Sequence, residues 1–81
     1  MYKINLPEKV IPEKLPKCDW GKIREKIQIL SNDPRPRWTE KMKGIDLYRI
    51  SIGNYRVLYS IDDNTKEVFI HDIGHRKDIY R

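Results

Sequence analysis

Three arginines, a histidine and a tyrosine in the last third of this 81-residue chain have the types and spacing that could do chemistry. Arg49 and Ser51 alternate with Tyr48, Ile50 and Ile52; Arg56 stands between Tyr55 and Val57; Gly74-His75-Arg76 is followed shortly by Tyr80. A guanidinium grips a phosphate or carboxylate through a two-pronged fork, so arginines gathered on one surface suit a polyanion. Because arginine keeps its proton at neutral pH, its role in such a cluster is to stabilise charge. An imidazole can take or give a proton near neutrality.

The elements that must position these groups follow from periodicity. Leu47 to Ile52 alternates apolar and polar residues as a half-buried strand does, Gly53-Asn54 supplies a tight turn, and Tyr55 to Ile61 resumes a strand rich in aromatic and β-branched residues. Asp62 to Lys66 is a second polar turn, Glu67 to Ile73 a third strand, and Gly74 is expected to stop it. If Tyr48, Ile50 and Ile52 point to the core, Arg49 and Ser51 share the wet face, and Arg56 joins them across the hairpin. Upstream, Tyr2 to Leu6 predicts a short strand able to join this meander. Pro7 to Pro16 allows one or two helical turns at most, because Pro12 removes a backbone donor. Asp19 is the predicted N-cap of a helix to about Ser31, with Trp20, Ile23, Ile27 and Leu30 on one stripe. Asn32 to Arg37 breaks the chain with two prolines, and Trp38 to Gly44 reads as a basic loop carrying Lys41 and Lys43. The predicted fold class is α+β: a β-α-α-β-β-β domain over residues 1–81 whose helices cover one face of an antiparallel sheet and leave the other open.

Bulk composition narrows the partners. Lysine and arginine number 17 against 12 acidic residues, a net charge of +5 that favours an anionic partner. The single cysteine, Cys18, excludes an internal disulfide and any CxxC metal site. No apolar run approaches the length of a membrane span, so the expected compartment is the cytoplasm, with no membrane association.

Taken in order, these segments resemble a known family. The β-α-α-β-β-β order, the Asn32-Asp33-Pro34-Arg35-Pro36 break, Lys43-Gly44, Leu47-Tyr48-Arg49-Ile50, Gly53-Asn54-Tyr55-Arg56-Val57 and Gly74-His75-Arg76-Lys77-Asp78-Ile79-Tyr80-Arg81 are together similar to the RelE/ParE superfamily of toxin–antitoxin toxins, on its RelE-like side. The resemblance implies a ribonuclease that cuts messenger RNA in the ribosomal A site and is neutralised by a cognate antitoxin, the toxin being monomeric within a hetero-oligomeric complex. It implies that the substrate's own 2′-OH attacks the adjacent phosphorus, without a metal or other cofactor, so that a base, an acid and oxyanion stabilisation are needed. Arg56 and Arg76 match the family's phosphate-binding arginines, Arg49 a position that is often lysine, and Tyr80 a C-terminal tyrosine that orients the base or assists proton transfer. Ser51 stands where the best-known members have a second lysine, and the run from Arg76 to Tyr80 is shorter than theirs. His75 is then the natural substitute for proton transfer. Lys41 and Lys43 are expected to add non-specific attraction to ribosomal RNA.

Each position has a plainer reading. Arg56 and Arg76 could be solvated strand-end residues, and Arg49 could be held by a cross-strand acid such as Glu67 or Asp72. His75 could simply pin the Gly74 turn. Trp20 reads as core, Trp38 as a lid over the helix, and His71 and Asp72 as structural. Two other functions share the fold: a ParE-like protein that poisons DNA gyrase by binding, and a member that has lost catalysis and only binds antitoxin or RNA.

Overall fold

The periodicity of the last third of the chain is realised as a sheet that organises everything else. The computed structural model describes residues 1–13 and 15–75. In chain order these form β1 (Lys3–Asn5), a 3-10 turn (Glu8–Val10), α1 (Lys17–Asn32), β2 (Glu40–Lys41), β3 (Tyr48–Ile52), β4 (Tyr55–Asp62) and β5 (Glu67–His75). The five strands make one sheet in the order β1-β5-β4-β3-β2. The predicted meander is therefore β3-β4-β5, paired antiparallel throughout.

Three expectations are corrected. The sheet is mixed, because β1 joins the far side of β5 in parallel, with Ile4 opposite Val68. There is one α-helix among the described residues; the segment expected to be a first helix is only the 3-10 turn, since prolines at 7 and 12 leave room for one short turn. The helix also starts earlier than Asp19. Pro16 is its cap, its carbonyl accepting the Trp20 N–H at 2.9 Å, and Asp19 instead lies in the first turn, where a carboxylate complements the helix dipole.

Local chemistry sets the other boundaries. The β3–β4 turn has two central residues between the paired Ile52 and Tyr55, and Gly53 takes a φ of +59°, which an L side chain rarely adopts. Gly74 does not end β5: it pairs with Arg56, and the strand runs on to His75 opposite Tyr55. A glycine here weakens a strand without breaking it when the neighbouring strand supplies hydrogen bonds. The register slips between Leu58 and Tyr59, leaving His71 as the extra residue of β5.

The core is the expected one. Ile23, Ile27 and Leu30 of α1 pack against Ile50, Ile52, Val57, Tyr59, Val68, Ile70 and Ile73, all buried, with Trp20 partly buried at the margin. Trp38 lies against α1, the Lys26 ammonium 4.8 Å from its ring centre. Among the described residues no helix is long and apolar enough to cross a membrane.

One polar latch ties the distant ends of this fold together. Asp63, in the β4–β5 turn, accepts two hydrogen bonds from Arg35 (3.3 and 2.9 Å) and one from the Tyr2 hydroxyl (2.6 Å); Arg35 also donates to Tyr48 at 3.1 Å. Arg35 and then Tyr2 hold the Asp63 carboxyl at about 2, below the usual carboxylate range. A carboxylate depressed on folding contributes stability above its unfolded pKa of about 3.9, and that contribution disappears as pH falls through the folded value. Asp63→Asn is therefore expected to flatten the loss of stability between about pH 4 and pH 2. Denaturant midpoints measured across that range check it, and an unchanged pH slope would refute the latch.

Candidate functional site

The face of the sheet turned away from α1 carries the candidate site. Strand alternation places Ile50, Ile52, Val57 and Ile73 against the helix and sends Arg49, Ser51, Arg56 and Leu58 to the other side. The register makes this specific: Arg56 lies between Ser51 of β3 and Gly74 of β5, and Arg49 lies opposite Leu58. The two arginines are thus diagonal neighbours, a relation that puts positions about 7–8 Å apart and lets both reach one ligand.

Arg49 has a partner that sequence reasoning missed. Glu40 is its register partner across β2–β3, and Arg49 Nη2 meets Glu40 Oε2 at 2.8 Å, with the arginine side chain 18% exposed and the glutamate 64%. The expected alternatives, Glu67 and Asp72, are on β5, two strands away from Arg49. The basic stretch Trp38 to Gly44 has the composition of a loop and gives Glu40 no strand signal, whereas Glu40–Lys41 is a two-residue edge strand. The available signal was Lys43-Gly44: Gly44 has a φ of +80°, and Met42 N–H donates to the Leu47 carbonyl at 2.9 Å, the closing bond of a hairpin that returns the chain alongside β3.

Arg56 donates from Nη1 to the Tyr55 carbonyl at 3.1 Å, and the Nε atoms of both Arg49 and Arg56 are shielded from solvent. These side chains are therefore held against the sheet, which preorganises their charge. Ser51 is exposed beside Arg56 and can donate or accept a hydrogen bond. Further along the same face, Ser60 Oγ and His71 Nε2 are 2.8 Å apart.

Other expected members are placed elsewhere. His75 pairs with Tyr55, and the alternation that turns Arg56 outward turns both of these to the helix side; their rings meet edge to face, 5.7 Å between centres. His75 lines a depression there with Val10, Leu15 and Ile73, so the described geometry does not bring it together with Arg49 and Arg56. Lys41 pairs with Tyr48 and so faces away from Glu40, while Lys43 occupies the β2–β3 turn, both at the sheet's rim. Arg76 and Tyr80 lie outside the described residues.

The fold and this open basic face define a class of small toxin. A sequence profile of the ParE toxin of type II toxin–antitoxin systems matches residues 17–80, and the chain belongs to this ParE/RelE toxin family. Among individual relatives, it is 27% identical over 86 residues to the archaeal protein named toxin RelE1 of Methanocaldococcus jannaschii, covering 99% of this chain and 96% of that one. The crystal structure of the RelE–RelB complex from Pyrococcus horikoshii matches with a TM-score of 0.77 and 30% identity, over 93% of this chain and 94% of that chain. The toxin–antitoxin complex RelBE2 from Mycobacterium tuberculosis matches with a TM-score of 0.79 and 26% identity, over 93% and 98%.

Proposed function

We propose that this toxin is an endoribonuclease that cleaves messenger RNA in the ribosomal A site, arresting translation until a cognate antitoxin covers it. The observation that carries the reading is the placement of Glu40, Arg49 and Arg56 on one open face of the sheet, a carboxylate ion-paired with one guanidinium and a second guanidinium diagonal to the first. Single-stranded RNA can splay its bases apart and present its 2′-OH and phosphate together to such a group.

The chemistry follows from these roles. Glu40, kept in place by Arg49, takes the proton of the 2′-OH; the freed oxygen attacks phosphorus, the bond to the 5′-oxygen breaks, and a 2′,3′-cyclic phosphate remains. Arg49 and Arg56 stabilise the charge that grows on the non-bridging oxygens. Arg76 follows Gly74, the partner of Arg56, by only two residues, and is assigned to the same phosphate. The proton for the departing 5′-oxygen is assigned to Tyr80, while His75, facing the helix side, is given no part in this step. Lys41, Lys43 and Ser51 contribute substrate contacts, the lysines by attraction to ribosomal RNA.

Glu40→Gln keeps the shape and removes the base, so single-turnover cleavage on programmed ribosomes is expected to fall about 10²-fold or more with ribosome affinity unchanged. Full activity in that variant would remove Glu40 from the mechanism. The whole reading is tested by primer extension on a translated message before and after induction without antitoxin. Cuts within codons support it. The matching family profile is that of ParE, which favours a second reading, binding to DNA gyrase; intact messages together with an induced DNA-damage response would establish that one instead.

A further inference from the structure

The strand that carries Glu40 is too short to hold itself. β2 has two residues, lies at the edge of the sheet and, among the described residues, pairs only with β3. A pair of strands this short contributes little stability on its own. Yet the proposed reaction requires a carboxylate fixed to a fraction of an ångström.

The residue before Glu40 supplies what β2 lacks. Thr39 Oγ1 lies 2.6 Å from the hydroxyl of Tyr59 and 3.4 Å from the Arg49 carbonyl, and the Tyr59 hydroxyl donates to the Pro34 carbonyl at 2.9 Å. Tyr59 itself is fully buried in the core of β4, and its ring stacks on Tyr48 with centres 5.7 Å apart. Each hydroxyl has a single proton. With the Tyr59 proton committed to Pro34, Thr39 donates to the Tyr59 oxygen, and the longer contact to Arg49 is secondary. Burial raises the Tyr59 phenol above its ordinary pKa, so it remains a donor at any physiological pH. The backbone on both sides of Arg35 to Trp38 is thereby fastened to one core hydroxyl, at Pro34 and at Thr39.

We infer that Thr39 and Tyr59 are positioning residues for Glu40, a core-anchored clamp that sets the carboxylate against Arg49. The inference rests on the nuclease reading for its catalytic consequence, but not for its structural one. Thr39→Val keeps shape and strand preference while deleting the hydroxyl; Thr39→Ser keeps the hydroxyl.

The clamp is read first without activity. In the uncomplexed protein, proton exchange at the Arg49 guanidinium, measured by NMR, is expected to accelerate in Thr39→Val and to stay at the wild-type rate in Thr39→Ser. Unchanged exchange in Thr39→Val overturns the inference whether or not the protein cleaves RNA. On programmed ribosomes Thr39→Val is then expected to lower single-turnover cleavage roughly ten- to a hundredfold with affinity retained, and Thr39→Ser to restore it. In a Glu40→Gln background Thr39→Val should have no further effect; an equal loss there would mean a general structural role and overturn the inference. Tyr59→Phe approaches the clamp from the core side and is expected to give the same exchange signature. Failure of the nuclease reading would appear separately, as absence of cuts in the wild type with the exchange pattern intact.

Discussion

Arg56→Ala is expected to lower single-turnover cleavage of ribosome-bound message by about 10²- to 10³-fold, the usual cost of deleting one preorganised donor aimed at a developing oxyanion. The size follows from where Arg56 stands: between Ser51 and Gly74 on the open face of the sheet, held in place through the Tyr55 carbonyl. Arg56→Lys should recover part of the rate, because it restores a charge but not the planar fork. Expression without antitoxin gives the cellular counterpart, with growth restored by Arg56→Ala. A variant that is folded, by circular dichroism and denaturant midpoint, and still fully toxic would show that this face is not where the toxin acts. Arg49→Ala differs in kind, since it also strands Glu40 without the donor that orients it.

Leu30→Ala carries the second large effect, on stability. Leu30 is fully buried where α1 meets the sheet, one of ten buried core residues among the described residues. Truncating a buried leucine costs about 2–5 kcal/mol, through lost transfer free energy and the cavity left behind. A domain of this length is stable by roughly 4–12 kcal/mol in total, so the change removes a large share of it. Urea titration is expected to give a much lower midpoint with an unchanged slope; a midpoint near wild type would mean that the helix does not seal the core as described.

The meander and the helix stripe were legible in the sequence because period-2 and period-3.6 patterns report directly which side is buried, and Tyr48 to Ile73 and Ile23 to Leu30 follow those patterns closely. The pairing of Arg49 and Arg56 on one face was legible for the same reason. What was not legible depends on contacts between distant segments. The parallel placement of β1 is fixed by bonds from Tyr2 to Ser31 and from Lys3 to Lys66, which no local pattern announces. Glu40 escaped because two residues are too few to show alternation. His75 is near Arg76 in sequence, but one step along a strand reverses the side on which a residue stands, and in β5 His75 faces the helix.

The position of β5 has a consequence for how the toxin comes into being. Lys3 of β1 pairs with Glu67, more than sixty residues later, and β5 lies between β1 and β4 in the sheet. During synthesis the amino-terminal strand must therefore wait, unpaired, until nearly all of the described chain has left the exit tunnel, and closing so long a loop is slow. The nascent chain is thus kept unfinished until β5 is delivered.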